Sequence, residues 1–160
     1  MPPIISIVGK SGSGKTTFIE RLIPELKQRG YKIGTIKHTV HNIEFDKPGK
    51  DSWRHKRSGA DAVIIAGNTK FSMVKDIDSP GLDDLLPYFK EMDLVISEGY
   101  KKDDKPKIEV IRSGRSAVPL DLKKEDRLAL ITDTDADAGV PRFGLEDIGP
   151  VADLIERELL

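Results

Sequence analysis

A chain of 160 residues with 38% hydrophobic and 33% charged side chains has room for one domain with a modest core, so much of it must lie in solvated or partner-facing segments. A formal net charge of -1 argues against a nucleic-acid binder held by a broad basic face, and the absence of cysteine excludes disulfides and thiolate metal sites. No apolar run approaches the roughly 20 residues that span a bilayer, and no charged-then-apolar leader precedes the first strand, so a cytoplasmic protein that meets neither membrane nor nucleic acid is expected.

In chain order, the apolar run Ile4 to Val8 reads as a buried strand and leads into "GKSGSGKTT". From Thr17, the residues Phe18, Ile19, Leu22, Ile23 and Leu26 have helical spacing that ends at Gly30, with Pro24 expected to bend or shorten the helix. "YKIGTIKHT" is a second strand. The polar stretch 38–50, punctuated by Pro48 and Gly49, reads as a loop. Asp51 or Ser52 is expected to cap a short helix through Ser58, stopped by Gly59. "DAVIIAGNTKFSMVKD" places two β-rich runs on either side of Gly67-Asn68, a hairpin signal.

Pro80-Gly81 opens a further short helix carrying Leu82, Leu85, Leu86 and Phe89. "DLVISEG" is the near-continuous apolar strand of a parallel sheet covered on both faces. "KIEVIR" and "LALITD" are two more strands, and Pro150 to Leu160 is a closing helix with Val151, Leu154, Ile155 and Leu159 inward. The expected fold is α/β and P-loop NTPase-like, a largely parallel sheet flanked by helices. It forms a single nucleotide-binding domain over 1–160, with an inserted polar segment and protruding β-hairpin at 38–75.

Gly9, Gly14, Lys15 and Thr16 sit at the G-x-x-x-x-G-K-[ST] spacing between a strand and a helix. In such a loop, Gly9, Lys10, Ser11, Gly12, Ser13, Gly14, Lys15, Thr16 and Thr17 wrap backbone N–H groups around phosphate oxygens, and the glycines let the backbone come close. Lys15 supplies a charge to the β- and γ-phosphates, the Thr16 hydroxyl is a Mg²⁺ ligand, and the helix N-terminus faces the anion. A second acid for the metal is sought at the carboxyl end of a parallel strand, which selects Glu98 over Asp93, a solvated strand start. Gly99 leaves room for the γ-phosphate. Asp46 and Asp51 are further loop carboxylates that could approach the metal.

No N-K-x-D sequence is present, but "LITDTD" ends a late strand. A carboxylate there accepts only, which suits the two adjacent donors of guanine, with Asp133 ranked ahead of Asp135. The one glutamine, Gln28, lies in the first helix, so nothing positions a water and GTP hydrolysis is expected to be slow. His38, His41 and His55 match no metal-ligand spacing and read as surface or supporting residues. Arg54, Lys56, Arg57, Lys101, Lys102, Lys105, Lys107, Arg112 and Arg115 are interleaved with acids and read mostly as solvated. Trp53 is either a small-core anchor or an interface residue. The apolar runs "AVII" and "FSMV" make an exposed hydrophobic edge that would pair with its own copy, Val63 and Phe71 being the residues to alter.

"GKSGSGKTT", "KHTVHNIEFDKPGKDSWRHKRSGA", "LVISEGYK" and "PKIEVIR" together resemble the MobB proteins of molybdenum-cofactor biosynthesis, from Ile4 to about Asp135. The resemblance implies a GTP-binding adaptor that uses GTP and Mg²⁺, with weak GTPase activity at most. It would assist attachment of a guanine nucleotide to molybdopterin, giving molybdopterin guanine dinucleotide. Its implied partners are a molybdopterin guanylyltransferase and molybdopterin-bearing proteins, and it implies a homodimer whose β segments meet. Residue by residue, it assigns the nucleotide to Gly9 through Thr17, the metal to Thr16 and Glu98, and the base side to Thr132 and Asp133, with Asp46 to Arg54 facing the site. Nothing transfers beyond about Gly139. Two other readings share the opening motif: a P-loop small-molecule kinase, for which Arg112 and Arg115 could form a lid, and a metal-insertion GTPase for a nickel enzyme.

Overall fold

A computed structural model describes residues 1–39, 41, 43–115 and 117–160. The chain packs as two compact units, Met1–His38 with Gly81–Leu160, and Thr39–Pro80.

The larger unit is built on a six-stranded parallel sheet of β1 (Ile4–Val8), β2 (Ile33–Lys37), β5 (Leu94–Glu98), β6 (Lys107–Ile111), β7 (Arg127–Thr132) and β8 (Arg142–Phe143), in the order β2-β5-β1-β6-β7-β8. The two-residue edge strand β8 has no sequence signal, being too short for any alternation to show. Successive side chains of a strand point to opposite faces, and both faces are used. On one, Ile5, Ile7, Leu94, Ile96, Ile108 and Val110 meet helices α1 (Lys15–Gln28) and α4 (Ile148–Leu159) through Phe18, Leu22, Leu26, Val151 and Ile155. On the other, Ile4, Ile36 and Val95 meet Leu82 of α3 (Leu82–Leu85) and Leu86 of the 3-10 turn Leu86–Phe89. The fully apolar runs of β1 and β5 follow from this two-sided burial.

Helix α1 is continuous through Pro24, so the proline does not shorten it. Arg29, just past its end, donates to Glu25, to Asp153 at 2.6 Å and to Glu156 at 2.7 Å, which ties α1 to α4 and raises the guanidinium pKa. Asp93 accepts from Lys32 N at 2.7 Å, at the amino ends of β2 and β5.

The face over β6 and β7 departs from the expectation that the basic residues are mostly solvated. Lys107 is only 1% exposed, and it donates to the carbonyls of Asp103 and Lys105 and lies 3.3 Å from Asp126. Glu109 and Arg127, both buried, are 3.0 Å apart. The long alkyl stem of lysine is compatible with an interior strand once its ammonium finds acceptors.

In the smaller unit, α2 (Asp51–Arg57) starts one residue earlier than read, with Lys50 as N-cap and Asp51 in the first turn, where its charge favours the helix dipole. Strands β3 (Ala62–Ala66) and β4 (Phe71–Lys75) pair antiparallel as a two-stranded sheet. Gly67 N donates to Lys70 O at 2.9 Å, so the tip is Asn68-Thr69, one residue later than Gly67-Asn68, and neither tip residue has the positive φ of a primed turn. The Trp53 indole donates to Glu44 at 2.5 Å under the Arg57 guanidinium, and Trp53 with Phe45 and Met73 lines an open groove of about 1100 Å³. Of the stretch read as a loop at 38–50, residues 40 and 42 lie outside the described residues.

Among the described residues no helix is long and apolar enough to cross a membrane. Gly34 of β2 is the tightest point of the second face: a β-carbon there would lie 2.4 Å from Phe89 Cδ1. Its backbone is extended, so the penalty of Gly34→Ala is steric alone. Denaturant titration is expected to show a loss of about 1–3 kcal/mol with an unchanged m-value.

Candidate functional site

The site lies where the chain leaves β1. Gly9 (φ 151°), Gly12 (φ 74°) and Gly14 (φ 92°) all occupy the positive-φ region, so the loop can turn back over the sheet only with glycine at these positions. At Gly9 space adds a second requirement, because a β-carbon would meet Val110 O at 2.4 Å and the Ser13 hydroxyl at 2.7 Å. Gly14 is the N-cap of α1 and has no side chain to satisfy the first-turn N–H groups, which a helix cannot satisfy internally. Backbone donors are thereby left facing the loop's interior, an arrangement that fits phosphate oxygens. The Ser13 hydroxyl is buried with no hydrogen-bond partner among the described residues. Lys10, Ser11 and Gly12 are exposed along the outer rim, and Thr17 is exposed in the first turn of α1.

Lys15 reaches back over the loop and donates to Lys10 O at 2.9 Å. Burial lowers its pKa, and the Glu98 carboxylate partly offsets this. Thr16 Oγ1 lies 3.0 Å from each Glu98 carboxylate oxygen, and Lys37 Nζ is 3.3 Å from Glu98 Oε1. β5 neighbours β1 in parallel register, Ile7 opposite Glu98, so the strand pairing itself sets the acid beside the loop. Magnesium bound at about 2.1 Å to two adjacent octahedral positions would hold their oxygens about 3.0 Å apart, so the pair Thr16 and Glu98 fits such an ion. Among the described residues no group of three His, Cys, Asp or Glu side chains comes together, so phosphates and water would complete the shell.

Gly99 (φ 109°) allows the chain to turn directly after Glu98, and a β-carbon there would approach His38 Cβ at 3.0 Å. His38 packs on the Tyr100 ring at 4.6 Å between centroids, and its N–H donates to Glu98 O at 3.0 Å, so it supports the strand end that carries the acid. His41 and His55, like Asp46 and Asp51, belong to the unit Thr39–Pro80.

At the end of β7, Thr132 is buried, and its hydroxyl accepts from Thr134 N at 3.0 Å. Asp133 accepts from Ser113 N and from Ser113 Oγ, both at 2.7 Å, so each of its oxygens is already engaged. Those bonds hold its pKa below the ordinary aspartate value. A folded pKa lowered in this way means the tether is intact at neutral pH and is lost as pH falls through the lowered value. Asp135 is exposed on the same turn. Arg112 and Arg115, read as mostly solvated, are indeed exposed but lie against the phosphate loop, with Arg115 Nε 3.0 Å from where a Gly12 β-carbon would be. The sequence carries no sign of that contact, since about a hundred residues separate the partners.

A parallel sheet whose central strand feeds a G-x-x-x-x-G-K-T loop and a helix, with an acid ending the adjacent strand, defines a protein of the P-loop NTPase fold class. Within that class, residues 4–133 match the family model MobB, Molybdopterin guanine dinucleotide synthesis protein B, and the chain belongs to that family. It is 39% identical to a molybdopterin-guanine dinucleotide biosynthesis adapter protein of Haemophilus influenzae, over 98% of this chain and 89% of that one. It is 31% identical to the protein of the same name from Escherichia coli, over 97% and 92%. Among solved structures, a molybdopterin-guanine biosynthesis protein B superposes with a TM-score of 0.74 at 32% identity, covering 98% of both chains. Bacillus subtilis MobB superposes with a TM-score of 0.74 at 28% identity, covering 99% of this chain and 98% of that one.

Gly9→Ala combines an unfavourable φ with a clash against the backbone of β6. It is expected to destabilise the fold by about 3 kcal/mol, measured by chemical unfolding, because neither the backbone φ nor the Val110 carbonyl can give way through a side-chain rotation.

Proposed function

We propose that this chain is a GTP-binding adaptor with a slow intrinsic GTPase, acting in the attachment of a guanine nucleotide to molybdopterin. The observation that carries the nucleotide reading is the Thr16 hydroxyl 3.0 Å from both oxygens of Glu98 at the foot of a glycine-lined loop. That is a two-oxygen seat for Mg²⁺ beside donors suited to phosphate, and Mg²⁺ bound there would neutralise charge on the β- and γ-phosphates. Gly9 through Thr17 would hold the phosphates, Lys15 adding its charge. The adaptor role is supported by the names of the Haemophilus influenzae and Escherichia coli relatives, whose matches span nearly the whole chain.

The guanine edge then falls to the turn Thr132 to Asp135, at the end of the strand next but one from the loop. Ser113 places one bond on each oxygen of Asp133, so in this reading Asp135 ranks ahead of it as the carboxylate facing the base, Asp133 keeping one accepting lone pair on each oxygen. Hydrolysis is slow in this reading because Gln28 closes α1 at the end remote from the loop. At 1.5 Å per residue, that is about 20 Å from Lys15.

The partners in this reading are the guanylyltransferase that joins the nucleotide to molybdopterin, and molybdopterin-bearing proteins, in the cytoplasm. The chain would act there as a homodimer. Ile64 and Phe71 are 59% and 71% exposed, and with Met73 they share one face of the β3–β4 pair, a surface suited to a second copy. Val63, paired with Val74, is half-buried, so Ile64 replaces it as the position to alter.

Calorimetry with GTP and ATP, with and without Mg²⁺, tests the nucleotide reading. Lys15→Ala is expected to abolish tight triphosphate binding without unfolding the protein, and unchanged affinity would remove the reading. Glu98→Gln should weaken binding in Mg²⁺ more than in EDTA, since it deletes charge without changing shape. Asp135→Asn should reduce the preference for GTP over ATP about tenfold or more, as one acceptor becomes a donor at the base edge. The pair Ile64→Lys and Phe71→Lys should sediment as a folded monomer that still binds nucleotide, whereas a wild-type protein monomeric at micromolar concentration would refute the dimer.

A further inference from the structure

The phosphate loop has a second charged flank, opposite the metal acid. β5, which carries Glu98, lies on one side of β1, and β6 lies on the other. The turn that leaves β6 carries Arg112 and Arg115. A β-carbon on Gly12 would meet Arg115 Nε at 3.0 Å and Cζ at 3.1 Å, and one on Gly14 would meet Arg112 Nη1 at 3.9 Å. Gly12 therefore serves two ends, its positive φ and the close approach of a guanidinium to the loop backbone. Neither arginine forms an ion pair among the described residues. Arg112 acts electrostatically on Asp133, both of whose oxygens accept from Ser113, and the buried Glu109 that lines the same small pocket as the two arginines is paired with Arg127.

Guanidinium groups held against backbone whose N–H donors already face an anion site add positive charge where it is already in excess, which is unfavourable until an anion arrives. The strand order says which part of a nucleotide they would meet. Running across the sheet, the acid that fits the metal ends β5, the phosphate loop follows β1, the arginine turn follows β6 and the base-side turn follows β7. The arginines thus stand between the phosphate loop and the base-side turn, away from the terminal phosphate that a metal on the Glu98 flank would share.

We propose that Arg112 and Arg115 form a clamp for the phosphate oxygens that guanosine di- and triphosphates have in common, and that Asp133 is a positioning residue holding the arginine turn through Ser113. The proposal rests on the reading of Gly9 to Thr17 as a nucleotide site. Arginine suits the role because its planar fork gives phosphate two parallel donors. Asp133 acts on the turn rather than on the ligand, since its two bonds fix both the backbone and the side chain of the residue directly after Arg112.

The test is calorimetry of the full chain with GTP and GDP, in Mg²⁺ and in EDTA. Arg112→Ala and Arg115→Ala should each weaken both nucleotides about tenfold and by the same factor, with or without metal, while the ligand-free unfolding midpoint stays in place. Arg115→Lys should recover part of the loss. Asp133→Ala should weaken GTP, GDP and ATP alike, and should add nothing in an Arg112→Ala/Arg115→Ala background. Unchanged affinity in the double arginine variant, with Lys15→Ala still abolishing binding, overturns the clamp and leaves the nucleotide reading standing. If Lys15→Ala is also without effect, the nucleotide reading fails and the clamp with it. A loss seen with GTP but not GDP moves the arginines to the terminal phosphate and overturns the assignment, and an Asp133→Ala effect confined to the GTP-over-ATP ratio overturns its positioning role.

Discussion

A missing β-carbon at Gly9 is the constraint on which the site depends. The last residue of β1 hands the chain to a loop that must double back over the sheet, and the inside of that bend lies against the carbonyl of Val110 in the neighbouring strand. With a side chain there, β1 and β6 could not keep their parallel register up to Val8 and Glu109 and also let the loop close over them. The bend fixes where α1 begins, and with it the direction of its first-turn N–H groups. The position of Thr16 relative to Glu98 then follows from the register of β1 with β5. A backbone contact, made possible by an absent atom, thus places side chains that are far apart in sequence.

Parallel strand order does the remaining sorting. All the loops that leave the carboxyl ends of a parallel sheet emerge on one edge, so a central strand carrying an anion-binding loop has two neighbours whose ends flank it. Here one neighbour ends in an acid and the other leads into arginines. Opposite charges on opposite sides give the site a direction along the sheet. In the proposed reading the acid end would be the metal corner and the turn after β7 the base side, and no single residue would have to specify that direction.

Much of this was legible before the fold was known, for reasons that can be named. Buried parallel strands are apolar on both faces, so Ile4 to Val8 and Leu94 to Val95 announce themselves, and loop geometry that only glycine can adopt leaves glycines at fixed spacing. The acid at 98 followed from the rule that ligands gather at the carboxyl ends of strands. Other features left no local mark. β8 is two residues long. The Asn68-Thr69 tip uses ordinary φ values, so no Asn-Gly or Asp-Gly pair flags it. The preference for Asp133 rested on its place at the strand end. The proposed shift toward Asp135 rests on Ser113, a residue twenty positions away whose proximity to Asp133 only the pairing of β6 with β7 creates.

The same pairing explains why a sheet face carries buried charge where an apolar layer would be simpler. Leu120 donates its N–H to Glu109 at 2.7 Å, and its carbonyl accepts from Arg127 at 2.7 Å, while Lys107 binds carbonyls at 103 and 105 and faces Asp126. The return from β6 to β7 is thus pinned by backbone groups that only polar partners on the strands could satisfy. An apolar layer at these positions would stabilise the sheet as well or better, because desolvating paired charges is expensive. It would, however, leave the Leu120 amide and carbonyl without partners and the connection free to lift. Ser113 is tied to Asp133 at the near end of that connection and Leu120 is tied in its middle. The turn bearing Arg112 and Arg115 is therefore held at the phosphate loop by the very polar groups that a reading of the strands as simple core would count as misplaced.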